Sequence, residues 1–104
     1  MHVQIATYPL PEVSDVEFIE ANQEFASMMA EVPGLLAKIW LKAPDGRVYG
    51  GVYLWQDREA YEEFVGGEVW ASVLSDDRMS NLQSDDYDVM EELTKATQPR
   101  LKAV

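Results

Sequence analysis

Hydrophobic and polar residues alternate with a period of two in four stretches of the chain, which predicts four β-strands. These stretches are residues 2–8, 35–43, 47–55 and 84–92. The second and third are separated by Pro44, Asp45 and Gly46, which are typical turn residues, so the two should form a hairpin. The first and last stretches have no strand next to them in sequence and must pair through longer connections.

Two segments between these strands have the three-to-four residue spacing of amphipathic helices. The first begins at Ser14, where Ser14 and Glu17 have the spacing of a capping box, and should run to about residue 31. The second should start after Asp57 as N-cap, end at Val65 and be followed by a shorter helical segment over residues 68–74. Residues 94–104 have no periodic pattern that predicts an element.

The predicted order is therefore β-α-β-β-α-β, which is the ferredoxin-like arrangement of the α+β class. In this arrangement a four-stranded antiparallel sheet carries its helices on one face. With 104 residues the chain is long enough for one hydrophobic core, so we expect a single domain over residues 1–104.

The hairpin has two different faces, and neither is polar. One face is aliphatic, with Leu35, Ala37, Ile39, Leu41, Val48, Val52 and Leu54. The other carries Leu36, Lys38, Trp40, Tyr49, Tyr53 and Trp55. We expect the helices to cover the aliphatic face. The aromatic face would then be open, and because so much apolar area is rarely left in water, a second copy of the chain should cover it in a homodimer.

Composition excludes several classes of function. The net charge of -11 argues against binding to nucleic acid, and the absence of cysteine excludes disulfides, thiol nucleophiles and zinc-thiolate sites. No apolar run approaches the roughly 18 residues of a membrane helix, and no signal peptide is recognisable. We therefore expect a cytoplasmic protein with neither a membrane nor a nucleic-acid partner.

Few residues have the spacing of a catalytic or metal motif. His2 is the single histidine, which argues against a multi-histidine metal site or a Ser-His-Asp triad, and a structural or solvent role is expected for it. The pairs Asp76-Asp77 and Asp85-Asp86 are interpreted as solvated carboxylates, because neighbouring side chains on a strand point to opposite faces. No metal site is predicted.

An aromatic-rich cavity is the candidate binding site, although the same residues also suit a core or a dimer interface. Asn22 interrupts the apolar stripe of the first helix, so its amide either lines a pocket or bonds to a nearby backbone group. A pocket with such a lining would suit a flat apolar or phenolic ligand. Its candidate members are Asn22, Lys38, Trp40, Tyr53, Trp55, Phe64, Trp70 and Tyr87.

Three short motifs resemble one known family. They are Pro33-Gly34 followed by Lys38-Ile39-Trp40, then Gly50-Gly51-Val52-Tyr53-Leu54-Trp55, and Asp57-Arg58-Glu59-Ala60. This pattern, with a similar ending at residues 89–94, resembles the YdhR-like putative monooxygenases of the dimeric α+β barrel superfamily, which also holds the antibiotic-biosynthesis monooxygenases. The resemblance covers about residues 33–101. It implies a ferredoxin-like subunit and a homodimer whose two sheets close into a barrel.

The resemblance also implies an activity, namely cofactor-independent monooxygenation of a small aromatic or phenolic substrate. Under that hypothesis Asn22 hydrogen-bonds a substrate oxygen and Lys38 stabilises an enolate. The aromatic ring of the substrate would be enclosed by Trp40, Tyr53, Trp55 and Trp70. No base is identified. Haem-degrading relatives combine Asn, Trp and His, and the later helix of this chain has no histidine, so haem is not expected. The alternative is a non-catalytic small-molecule-binding or structural dimer of the same fold.

Overall fold

The computed structural model describes residues 1–97 and contains four strands and four helices. The strands are β1 (His2–Pro9), β2 (Leu35–Lys42), β3 (Val48–Trp55) and β4 (Gln83–Asp88). The helices are α1 (Asp15–Met29), α2 (Arg58–Val65), α3 (Glu68–Ser75) and α4 (Glu91–Thr97), with a single 3₁₀ turn at Asp77–Met79. None of the helices in this part of the chain is both long and apolar enough to cross a membrane.

The strands form one antiparallel sheet in the order β2-β3-β1-β4, with β1 and β3 in the centre. This topology confirms the predicted ferredoxin-like α+β fold. The sheet is open at β2 and β4, so it does not close into a barrel within one chain.

The end of the chain differs from the prediction. The last strand stops at Asp88, and Glu91 and Glu92, which were expected at its end, begin α4 instead. Glutamate, leucine and lysine favour helices, and the run from Glu91 contains all three, so local propensity outweighs the short alternation before it. Residues 98–104 of the expected unpatterned tail lie outside the described residues.

Both predicted helix caps are present. The Glu17 amide donates to the Ser14 hydroxyl oxygen at 3.1 Å, and the Ala60 amide donates to an Asp57 carboxylate oxygen at 2.8 Å. The Ser14 hydroxyl also donates to Glu17 Oε1 at 3.2 Å, which completes a side-chain version of the capping box. These caps fix where α1 and α2 leave the sheet.

The assignment of the two sheet faces was wrong, because the helices cover the aromatic face. Tyr49, Tyr53 and Trp55 of β3 are buried beneath α1, α2 and α3. On the other face, Ile39 and Leu41 of β2 are exposed. The uncovered face is thus aliphatic, and it is formed by Val3, Ile5, Thr7, Ala37, Ile39, Leu41, Val48, Val52 and Leu54 together with Gln83, Asp85 and Tyr87 of β4.

Aromatic contacts explain this choice of face. Phe18 of α1 stacks on Tyr49 with centroids 4.4 Å apart, and Phe64 of α2 lies 5.0 Å from the Trp55 ring. An aromatic side chain buries more apolar area than Val or Leu, so covering that face with the chain's own helices gains more free energy. A register shift between Leu35 and Ala37 also turns Leu35 to the helix side.

Two polar groups of β1 are buried under the helices and both have partners. His2 lies between two carboxylates of β4, with Nδ1 2.9 Å from Asp88 and Nε2 2.7 Å from Asp86. Gln4 accepts a hydrogen bond from the indole of Trp55 at 3.2 Å and donates one to Ser84 at 3.1 Å. The expected structural role of His2 therefore agrees with its position, since it ties the edge strand β4 to the centre of the sheet.

Candidate functional site

A cavity of about 240 Å³ lies between the covered face of the sheet, α1 and α3. Arg78, in the 3₁₀ turn that follows α3, belongs to the lining and has an exposed side chain, so the cavity meets solvent at this residue. Its lining residues are Ala6, Tyr8, Ala21, Asn22, Phe25, Lys38, Gly50, Gly51, Tyr53, Trp70, Val73, Asp76, Arg78, Met79 and Leu82. Below, this space is called the main cavity.

Lys38 is the distinctive group of the main cavity. Its Nζ lies 3.7 Å from the centroid of the Trp40 ring, 4.6 Å from that of Tyr53 and 4.9 Å from that of Phe25. Within residues 1–97 no carboxylate lies within 4 Å of this nitrogen. By contrast, Lys42 pairs with Asp15 at 2.6 Å, although it lies only four residues further along β2. Burial lowers the pKa of Lys38 to about 8.

Gly51 makes the room for Lys38. A Cβ atom at position 51 would lie 2.8 Å from the Lys38 Cε, which is closer than van der Waals contact permits. Lys38 pairs directly with Tyr53 across β2 and β3, and Gly51 pairs with Trp40. The space left by the missing side chain of Gly51 is thus occupied by the lysine stem.

Asn22 projects from α1 into the wall of the main cavity. Its Nδ2 donates to the Phe18 carbonyl at 2.9 Å, one turn earlier in the helix. Of the two interpretations left open by the sequence, the backbone bond is present, and the residue also lines the cavity. A primary amide has two N–H donors and a carbonyl acceptor, so one bond to the backbone leaves capacity for a ligand.

Two tyrosines of the main cavity keep their protons near neutral pH. Burial raises the pKa of Tyr53, and it also raises the pKa of Tyr8, although the charge of Arg78 partly offsets the latter effect. Their hydroxyl groups are therefore hydrogen-bond donors and not bases under these conditions.

An ion pair stands at the mouth of the main cavity. Arg78 donates to Asp76 from Nη2 at 2.8 Å and from Nε at 3.2 Å, and the Asp76 carboxylate also accepts the Arg78 amide at 2.9 Å. Because these hydrogen bonds favour the charged form, they hold the pKa of Asp76 below its usual range. The charges of Asp76 and Arg78 offset each other, which leaves Lys38 as the remaining charged residue of the cavity lining.

Four of the six predicted substrate-binding residues line this space, and two do not. Asn22, Lys38, Tyr53 and Trp70 line it. Trp55 is fully buried in the core with its indole bonded to Gln4, and Trp40 lies beneath α1 with its ring edge towards Phe18 and Phe25. Phe64 is likewise a core residue and Tyr87 lies on the uncovered sheet face. Trp40 and Trp55 were grouped with the cavity residues because all aromatics of one sheet face were treated as equally accessible.

A second hollow, of about 230 Å³, adjoins the first along α1. Tyr8, Asn22 and Arg78 belong to the walls of both, together with Ala21 and Met79. Sequence patterns did not indicate Tyr8 or Arg78, because each comes from a loop or strand end far from the helix that it faces. The only available signal was the position of Tyr8 on the same strand side as Gln4 and Ala6.

Residues 1–97 contain no group of three or more His, Asp or Glu side chains placed to hold a metal ion. The polar groups of the main cavity are an amine, an amide and two phenols, to which the Asp76–Arg78 pair at the mouth adds two charges. These groups suit recognition of an oxygen-bearing organic anion better than coordination of a cation.

The fold is shared with solved oxygenases of low sequence identity. A putative antibiotic-biosynthesis monooxygenase from Deinococcus radiodurans has a TM-score of 0.65 and 10% identity over 86% of this chain and 92% of that one. A monooxygenase from Streptomyces coelicolor, solved with nanaomycin D, has a TM-score of 0.64 and 18% identity over 85% and 86%. SnoaB, a cofactor-independent oxygenase from Streptomyces nogalater, has a TM-score of 0.62 and 14% identity over 85% and 91%.

At these identities the solved structures show the fold alone. No curated protein sequence matches the chain. A family model does match, namely the one described as "Putative mono-oxygenase ydhR", and the match extends over residues 7–100. The matched range includes the glycine pair, Lys38 and every lining residue of the main cavity except Ala6. The chain therefore belongs to the ydhR family of putative mono-oxygenases.

Proposed function

We propose that this protein is a cofactor-independent monooxygenase that oxidises a small phenolic substrate in the main cavity. The observation that carries the proposal is Lys38, whose ammonium group is half-buried among three aromatic rings without a carboxylate partner in the described residues. Removing a charge from water is costly unless an opposite charge accompanies it. A phenolate or enolate bound in the main cavity supplies that charge.

The proposed reaction needs no external reductant. A phenol that loses its proton delocalises the electron pair onto a ring carbon, which reacts with O2 and forms a carbon-bound hydroperoxide. Loss of water from this intermediate gives a quinone. One oxygen atom enters the product and the other leaves as water, and the four electrons that O2 accepts all come from the phenol.

Each polar group of the main cavity has a role in this reaction. Lys38 stabilises the substrate anion, and the free N–H of Asn22 donates to a substrate oxygen. Tyr8 and Tyr53 supply further donors, because their hydroxyl groups stay protonated. We assign no base among the side chains. The phenol loses its proton to solvent, and Lys38 favours the anion that is bound.

The volume of the main cavity limits the substrate. An apolar cavity of about 150 Å³ admits benzene, so about 240 Å³ suits one substituted ring or two fused rings. Trp70 also lines the cavity, with its ring perpendicular to that of Tyr53 at 6.4 Å between centroids. We therefore infer a flat substrate no larger than a naphthol.

We also propose that two copies pair through the uncovered aliphatic face, as the resemblance to dimeric barrels implies. Several large side chains of this face are exposed in one chain, including Ile5, Ile39, Leu41 and Val48. Burial of such a side chain gains roughly 1.5 to 3 kcal/mol, so a face-to-face contact of two sheets is strongly favoured. The helices and the main cavity then lie on the outside of the pair.

Binding of 1-naphthol, followed by isothermal titration calorimetry under nitrogen, tests the site. We expect one molecule per chain, with affinity reduced at least about tenfold in Lys38→Met because one charged hydrogen bond is lost. Lys42→Met is the matched control, since Lys42 lies on the same strand outside the cavity. Absence of binding would contradict the proposal that the main cavity binds a phenol. Binding without oxygen consumption in air would favour the alternative, a non-catalytic binding protein.

A further inference from the structure

We propose that Lys38 captures small aromatic aldehydes and ketones covalently, as an imine, in the main cavity. The reaction uses the same space as the proposed function but not its oxygen chemistry. The two proposals can therefore fail separately.

Removal from water gives the Lys38 amine a larger neutral, nucleophilic fraction than an exposed lysine has, although the aromatic rings attract its charged form. Three aromatic rings surround it and no carboxylate of residues 1–97 holds its proton. Burial supports the same conclusion, because it lowers the pKa of Lys38 to about 8. Lysines that form imines in proteins are typically activated by desolvation in this way.

The geometry places a carbonyl carbon within reach of the amine. Lys38 ends in an open cavity, and Gly51 leaves the space through which its stem passes. An aromatic ring that lies against Trp70 and Tyr53 extends towards Lys38, because all three side chains line the same cavity. Tyr53 and Asn22 are donors to the carbonyl oxygen, which makes the carbon more electrophilic.

The covalent step balances without a further reactant. The neutral amine adds to the carbonyl carbon and gives a carbinolamine. This intermediate loses one water molecule as the carbon–nitrogen double bond forms. The departing oxygen takes up protons from the amine and from solvent, and the cavity mouth beside Arg78 lets the water leave. Hydrolysis reverses the reaction, so the adduct is reversible until it is reduced.

The other amines of the described chain are in different surroundings. Lys42 is exposed and its pKa is raised by the hydrogen bond to Asp15. Lys95 lies on α4, away from the cavity. The terminal amine of Met1 pairs with Glu91 and does not line the cavity. Selectivity for Lys38 over Met1 therefore measures the effect of the cavity.

The test is reductive trapping with 4-hydroxybenzaldehyde and cyanoborohydride under nitrogen near neutral pH. Mass spectrometry of the intact protein and of its peptides follows. We expect one adduct, equal to the aldehyde plus two hydrogens less one water, on the peptide that contains Lys38. Its formation should be at least about tenfold faster than on a free lysine side chain, because more of the amine is neutral at this pH.

A competitor without a carbonyl separates the site from general reactivity. 4-Hydroxybenzyl alcohol should slow labelling of Lys38 and leave labelling of Met1 unchanged. Lys38→Met should lose the fast adduct, while Lys42→Met should keep it. Adducts distributed over Met1, Lys42 and Lys95 with no excess at Lys38 overturn the proposal. The peptide map of the unaltered protein decides the question by itself if Lys38→Met does not fold.

Discussion

The Lys38 ammonium nitrogen lies 3.7 Å from the centroid of the Trp40 ring, two residues further along the same face of β2. A cation over an indole face is stabilised by the ring quadrupole, by about 2 kcal/mol when both groups are desolvated. This contact allows a lysine to stay in an aromatic layer without a carboxylate. It also fixes the amine at the edge of the main cavity, where a ligand can reach it.

Burial of Lys38 predicts an unusual dependence of stability on pH. Its pKa is about 8 in the folded protein and near 10.5 in the unfolded chain, so the unfolded chain binds more protons between these values. As the pH rises above about 8, Lys38 loses its proton in the folded protein, and the free energy of unfolding therefore increases. Lys38→Met lacks this contribution. Urea unfolding should show that the free energy of unfolding of the wild type, relative to that of Lys38→Met, is larger at about pH 9.5 than at about pH 7. Equal differences at both pH values would contradict the burial of the amine.

Addition of one methyl group should have different effects at Gly50 and at Gly51 of β3. A Cβ at Gly50 would lie 2.2 Å from the Ala6 carbonyl oxygen, a backbone atom of the paired strand, whereas a Cβ at Gly51 would meet the flexible Lys38 stem. Gly50→Ala should cost about 2 to 3 kcal/mol or more in urea unfolding, because β1 and β3 must separate. Gly51→Ala should cost less and should weaken binding of 1-naphthol by displacing the amine. The reverse order of stabilities would show that the strand pairing is wrong.

The uncovered sheet face predicts the oligomeric state. Ile39 on this face and Ile19 on the outside of α1 are almost equally exposed in one chain, at 57% and 59%. Ile39→Glu should give a monomeric mass in sedimentation at micromolar concentration, because it introduces two charges into a contact between sheets. Ile19→Glu is the matched control and should stay dimeric. A monomeric wild type at that concentration would refute the proposed pairing.

The contacts of His2 predict which carboxylate of β4 matters more for stability. Asp86 lies 2.7 Å from His2 Nε2 and accepts from the Tyr61 hydroxyl at 3.1 Å, whereas Asp88 contacts only the other ring nitrogen. The His2 hydrogen bond is the largest cause that lowers the pKa of Asp86. Asp86→Asn should lower Tm at least about twice as much as Asp88→Asn, because it weakens two of the three contacts. A larger effect of Asp88→Asn would contradict this geometry.

Local patterns in the sequence were sufficient for the four strands, the first three helices and the topology, but they did not predict α4. The Ser14 and Asp57 caps, the turn at residues 44–46 and the alternation in β1 and β3 depend on neighbours within a few residues, so they predicted the strands and the first two helices. They did not predict which face of the sheet is covered. Both faces are apolar, and the choice depends on the fit of Phe18, Phe25 and Phe64 to rings that are distant in sequence.

The candidate site was predicted in part for the same reason. Asn22 and Lys38 were identified because a polar group in an apolar stripe needs an explanation, and both line the main cavity. Trp55 was included by residue type, but its partner is Gln4, a contact that exists only once β1 and β3 are paired. Tyr8 and Arg78 were missed because tertiary folding alone brings them to α1.

Incubation of the protein with 1-naphthol under ¹⁸O-labelled O2, in chelator-treated buffer, tests whether Lys38 supports oxidation of a phenol by O2. We expect 1,4-naphthoquinone with one labelled oxygen atom, one O2 consumed per quinone, and at least about tenfold slower turnover in Lys38→Met than in Lys42→Met. A product without label, or equal rates in Lys38→Met and the wild type, would contradict the claim that Lys38 stabilises a phenolate for reaction with oxygen.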